Sequence, residues 1–173
     1  ERTGSLQTGE LIRLGIELCR IMNYLHSFKP NPILYLDLHP GNLLICREQL
    51  KLIDFDQAAL ASLSQERSVC YGTKGFAAPE QYEGGTLDER TDIYAIGALL
   101  YYMGTGHAPE GEIKAGQGSC WGDLYILMGR CLRTEKKERC QSVREVLEAL
   151  EKLEARIFAE RHIPLLRIAA AGS

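Results

Sequence analysis

The chain has 173 residues, 45% hydrophobic and 25% charged, enough apolar material to bury the core of one domain. A formal net charge of −3 and a pI near 5.9, with Lys and Arg spread among Asp and Glu, give no electrostatic case for nucleic acid or an anionic membrane. Six cysteines without any CxxC spacing point to free thiols in a reducing cytoplasm, not to a zinc site or a disulfide framework.

Residues 1–9 form a polar N-terminal segment with no signal-peptide pattern. Thr8 can cap a helix whose apolar stripe is Leu11, Leu14, Leu18, Ile21, Met22 and Leu25. Pro30 and Pro32 end it, and His26 is expected to bond a backbone carbonyl there. Three short apolar runs follow, Ile33 to Tyr35, Leu43 to Cys46 and Leu50 to Ile53, and Arg47-Glu48-Gln49 between the last two suits a tight hairpin. Such a hairpin brings Asn42, just before one strand, near Asp54, just after the next. Their oxygens are hard ligands of the kind that hold Mg²⁺ on a nucleotide's phosphates, and Asp37 is placed to serve as a base. Each of these residues taken alone is also an ordinary turn former.

Gln57 to Tyr71, with Ser62, Ser64 and Ser68, reads as solvated loop, and Thr73 as a turn hydroxyl between Gly72 and Gly75. Thr91-Asp92 opens an apolar helix through Met103; its uncharged run is about half the length of a membrane span. The glycine-rich stretch Gly104 to Trp121 reads as loop, since no apolar strand precedes Gly116-Gln117-Gly118. Leu124 to Leu132 is helical, and Ser142-Val143-Arg144-Glu145 is a capping box ahead of the stripe Val143, Val146, Leu147, Leu150 and Leu153. Residues 10–160 therefore read as one domain, and residues 161–173, strand-like over Ile163 to Leu166, as a tail or linker.

The run Asp37-Leu38-His39-Pro40-Gly41-Asn42 resembles the catalytic loop of protein kinases, and Asp54-Phe55-Asp56 the D-F-G that follows it. Gly72-Thr73-Lys74-Gly75-Phe76-Ala77-Ala78-Pro79-Glu80 is similar to the segment ending in A-P-E, and Asp92-Ile93-Tyr94-Ala95-Ile96-Gly97 to the start of the family's central buried helix. The resemblance spans Leu11 to Leu150 and implies an α+β, mainly α fold. The fold so implied is the C-lobe of a bacterial Ser/Thr-protein-kinase-like domain, with helices around a buried one and a small β-hairpin. It implies transfer of the ATP γ-phosphate to a protein Ser or Thr hydroxyl. Asp37 would receive the hydroxyl proton, Asn42 and Asp54 hold Mg²⁺, His39 lie near the moving phosphate, Leu44 line the nucleotide, and Thr73 contact Asp37. Glu80 would pair with Arg139 and Asp92 bond the catalytic-loop backbone; on residue type alone the first two are exposed charges and the third a helix cap.

Four positions depart from the family pattern. Tyr35 replaces the loop His, a packing position, and Leu36 replaces the Arg that would meet a phosphorylated activation loop. His39 replaces a lysine, and Asp56 replaces the Gly of D-F-G with loss of backbone freedom. The glycine-rich loop, lysine and glutamate of the smaller N-lobe belong upstream of Leu11, where nothing supplies them. This chain by itself is thus expected to bind ATP weakly and to transfer phosphate negligibly. Asp37-x-His39-x-x-Asn42 also resembles aminoglycoside and choline phosphotransferases, a small-molecule rival, and a pseudokinase binding module is the second rival.

Overall fold

The computed structural model describes residues 6–64, 72–110, 113 and 120–170; Ser68 and Gly116 to Gly118 lie outside the described residues. Helix α1 (Thr8–His26) buries Leu11, Leu14, Leu18, Met22 and Leu25, the stripe the spacing predicts. Gln7, not Thr8, is its N-cap residue and makes no side-chain cap bond. Strand β1 (Ile33–Leu34) precedes a 3₁₀ turn, Pro40–Asn42, and the hairpin of β2 (Leu43–Cys46) and β3 (Gln49–Leu52). Leu43 pairs with Leu52 and Cys46 with Gln49, so only Arg47 and Glu48 make the turn. Both have positive φ, 51° and 65°, the type I′ geometry whose twist matches a hairpin.

Residues 57–64 are more ordered than a solvated loop. Strand β4 (Ala59–Leu60) pairs antiparallel with β1, Ile33 opposite Leu60, and the short α2 (Ala61–Ser64) follows. This small sheet covers an apolar satellite of Leu34, Leu36 and Leu87, with Ala59 and Ala61 against it. The helical remainder is α3 (Pro79–Glu83), α4 (Glu89–Thr105), α5 (Cys120–Cys131) and α6 (Val143–Ala170).

Helix α4 is apolar on nearly every side, and Ile93, Ile96, Leu99 and Leu100 are fully buried. It is packed by α1, α5 and α6, which makes it the centre of the core. Gly97 is where α5 comes closest: a Cβ there would lie 2.5 Å from the Cys131 Cβ. The fold is α+β and mainly helical, as the motifs imply.

Several boundaries differ from expectation. The cap of α4 is Asp88, whose Oδ1 accepts the Arg90 amide at 2.9 Å, while Asp92 sits one turn inside. Helix α5 begins at Cys120, before Leu124. At α6, Ser142 Oγ accepts the Glu145 amide at 3.2 Å, but the Glu145 carboxylate answers to the Gln141 amide at 2.8 Å instead of to Ser142. The strand-like reading of Ile163 to Leu166 is corrected, since α6 runs on to Ala170. Ala, Leu and Arg around Pro164 favour helix, so the flanking propensities and not the proline set the element here.

Candidate active site

Asp92, fully buried in the first turn of α4, sets the loop that carries Asp37. Its Oδ2 accepts the Tyr35 amide at 2.8 Å and its Oδ1 the Leu36 amide at 2.8 Å. His26 Nε2 approaches the same Oδ2 at 2.9 Å, so His26 bonds a carboxylate of α4 and not a carbonyl of its own helix end. The Leu36 carbonyl accepts from Gln81 Nε2 at 2.8 Å, and the Gln81 Oε1 accepts the Ala78 amide at 3.0 Å. These bonds hold Leu36 at φ 66°, a left-handed conformation that costs a non-glycine residue about 1–2 kcal/mol. The side chain of Leu36 packs among Leu34 and Leu87, an apolar setting at the position of the family's arginine.

Beyond this turn, Asp37 Oδ1 accepts from Thr73 Oγ1 at 2.9 Å. The Asn42 Nδ2 donates to the Asp37 carbonyl at 2.9 Å and to Asp37 Oδ2 at 3.3 Å. His39 Nδ1 accepts the Gly41 amide at 3.1 Å, so in the neutral ring Nε2 carries the proton, 3.6 Å from Asp37 Oδ2. The Asp37 side chain is 23% exposed, open enough to meet a substrate. Loop and activation-side segment thus meet at one carboxylate.

The Asp54 side of the site joins through the hairpin. Ile53 N–H donates to the Asn42 carbonyl at 3.0 Å, extending the β2–β3 ladder to the residues that flank it. The Tyr35 hydroxyl donates to the Ile53 carbonyl at 2.5 Å, and its ring meets Phe55 edge-on with centroids 5.2 Å apart. Burial, then the Asp37 and Asp54 carboxylates, push the Tyr35 phenol up to about 12, with the Asn42 amide acting the other way. Tyr35 is a keystone between the two motifs and more than a packing replacement.

The positive φ of this stretch, 62°, falls on Asp54, whose Oδ1 accepts the Asp56 amide at 3.2 Å; Asp56 does not share it. A glycine's freedom is thus not required at position 56. Leu44 stands on β2 opposite Lys51 and is 49% exposed; Ile53 and Phe55, which flank Asp54, are also exposed.

Asn42 commits its Nδ2 to Asp37, which leaves its Oδ1 as a hard acceptor to match the Asp54 carboxylate. No group of three or more His, Cys, Asp or Glu forms a metal cage among the described residues. Asn42 Oδ1 and the Asp54 carboxylate are hard oxygen donors of the kind that suit Mg²⁺, which takes its other ligands from phosphates and water.

Glu80 and Arg139 form a two-pronged ion pair, Nη1 to Oε1 at 2.7 Å and Nη2 to Oε2 at 2.8 Å. Arg139 is also cradled by the carbonyls of Arg90, Arg133 and Thr134, and Thr91 Oγ1 donates to Glu80 Oε1 at 3.0 Å. Its guanidinium lies 5.0 Å above the Tyr94 ring. Gln81, Thr91 and His26 were not singled out as site residues by the motifs. Gln81, two residues after Pro79 at the start of α3, carried the one local signal, a helix-capping position.

The family model described as the protein kinase domain matches residues 1–157. The chain belongs to the protein kinase domain family. Among curated proteins it is 28% identical over 89% of its length to serine/threonine-protein kinase A of Synechocystis. It is 37% identical over 52% to the DNA damage-responsive serine/threonine-protein kinase RqkA of Deinococcus radiodurans, and 33% over 61% to integrin-linked protein kinase 1 of Arabidopsis thaliana. The chain spans 34%, 14% and 24% of those proteins, about a third of their length at most.

Proposed function

We propose that this chain supplies the acceptor side and the metal-holding side of an active site that moves the ATP γ-phosphoryl group to a protein Ser or Thr hydroxyl. The observation that carries the reading is the Asp37 carboxylate, held by Thr73 from one segment and Asn42 from another while still partly open. A carboxylate so fixed orients an incoming hydroxyl and takes its proton as the oxygen bonds to phosphorus and ADP departs. Asn42 and Asp54 would hold Mg²⁺, which when bound neutralises charge on the phosphates. Nε2 of His39, 3.6 Å from Asp37, is placed to donate to a phosphate oxygen beside the acceptor. Leu44 and the exposed Phe55 give the nucleotide an apolar wall.

The protein acceptor is favoured by the Thr73 bond, because Gly72 to Glu80 then forms one wall of the acceptor site and continues into α3. The test is transfer of labelled γ-phosphate by the full-length protein to a Ser/Thr peptide panel, an aminoglycoside and choline. Asp37→Ala and Asp54→Ala should each lower peptide phosphorylation by at least a hundredfold, in the range that proton-transfer and metal-site losses give. Undiminished transfer in both variants would discard the assignment. Transfer to the small molecules alone would move it to that class, and nucleotide binding without turnover would leave a binding module.

A further inference from the structure

Cys131 closes α5 and Cys140 stands just before α6; both are fully buried, and the Cys131 S–H donates to the Cys140 sulfur at 4.0 Å. The two thiols bracket the segment that grips Arg139. Arg139 Nε donates to the Arg133 carbonyl at 2.7 Å and Nη2 to the Thr134 carbonyl at 2.9 Å, and both carbonyls lie between the cysteines. We propose that Cys131 and Cys140 are a redox modification site, joined reversibly as a disulfide that ties the end of α5 to the residue following Arg139.

The roles of the two sulfurs differ. The S–H bond from Cys131, and then the Arg130 guanidinium against the opposing effect of burial, hold the Cys140 thiol below its ordinary range. The bond it donates, and then burial, push Cys131 well above it. Cys140, the sulfur that accepts the S–H bond, is taken as the one that attacks first. With a peroxide as oxidant, its sulfur attacks one peroxide oxygen, the O–O bond breaks, and hydroxide leaves to become water. The Cys131 sulfur then attacks the Cys140 sulfenic sulfur, the S–O bond breaks, and hydroxide departs with the Cys131 proton as a second water. Two electrons pass from the thiols to the peroxide. Closing the 4.0 Å gap to a bond of about 2.05 Å requires the two sulfurs to turn toward one another. Cys19, in the same core, is pushed up by burial and then by Cys140, which makes it the poorer competitor.

The full chain is treated with hydrogen peroxide, alkylated and cut with trypsin, which cleaves after Arg130, Arg133, Arg139 and Arg144. The expected product joins Cys131–Arg133 to Cys140–Arg144, about 2 Da lighter than the two reduced peptides, and dithiothreitol restores both. Recovery of both peptides alkylated, at a peroxide dose that oxidises the exposed Cys46, overturns the proposal. A link from Cys140 to Cys19 in place of Cys131 overturns it equally.

Discussion

Removing the Asp92 carboxylate leaves the buried amides of Tyr35 and Leu36 without an acceptor and His26 without its partner. Each stranded buried donor costs about 1–3 kcal/mol, so Asp92→Ala should destabilise by about 2–6 kcal/mol. Urea denaturation measures this, and a loss under about 1 kcal/mol would show that the carboxylate is not what holds the turn. Asp92 was legible through its motif and the apolar run after it. Its partner His26 was not, because the contact joins residues 66 apart in sequence and nothing local to a helix end signals it. Tyr35 was likewise underread: a tyrosine in an apolar run looks like packing until its hydroxyl is seen on the Ile53 carbonyl.

Between elements, Arg139 fastens α3 to the turn ahead of α6, and its side chain is fully buried against a Glu80 side chain 10% exposed. Arg139→Ala should cost on the order of 3–5 kcal/mol by stranding the Glu80 charge, read from chemical denaturation. The Asp88 cap of α4 carries a pH signature. Burial works against its charge, but the Arg90 and Lys136 hydrogen bonds prevail and hold its carboxyl at about 2, below the ordinary 3.8. A depressed acid stabilises the fold above its unfolded value and stops doing so as pH falls through its folded one. The stability difference between wild type and Asp88→Asn should therefore be constant above about pH 4 and shrink toward pH 2. Thermal midpoints across that range check it, and a difference that grows on acidification would contradict it. At the hairpin, Arg47→Asn with Glu48→Gly should stabilise by about 1–2 kcal/mol, since both residues hold positive φ without a glycine. The hairpin was legible because two short apolar runs flank the polar Arg47-Glu48-Gln49, although Gln49 belongs to β3 and the turn is one residue shorter. Strand β4 and α2 were missed because two residues of pairing leave no period to read.

For the whole molecule, the core is set by how closely α5 approaches α4. Gly97→Ala places a methyl 2.5 Å from the Cys131 Cβ and should cost about 1–3 kcal/mol through overpacking, with the loss seen in thermal unfolding. The arrangement of helices around α4 was readable from that helix's unbroken apolar run, whereas the need for glycine at position 97 depends on a neighbour far along the chain. The site was readable in outline because its residues flank short strands, and its depth came from tertiary bonds through Tyr35, Gln81 and Asp92. In the reading proposed above, Asp37, Asn42 and Asp54 surround one nucleotide–metal position. Paramagnetic broadening in the full-length protein with Mn²⁺ and ATP tests this. The amide signals of Asn42 and Asp54 should broaden first, Asp37 next, while Leu150 on α6 stays sharp. Broadening at Asp54 with Asn42 unaffected, or broadening centred on any other element, would contradict it.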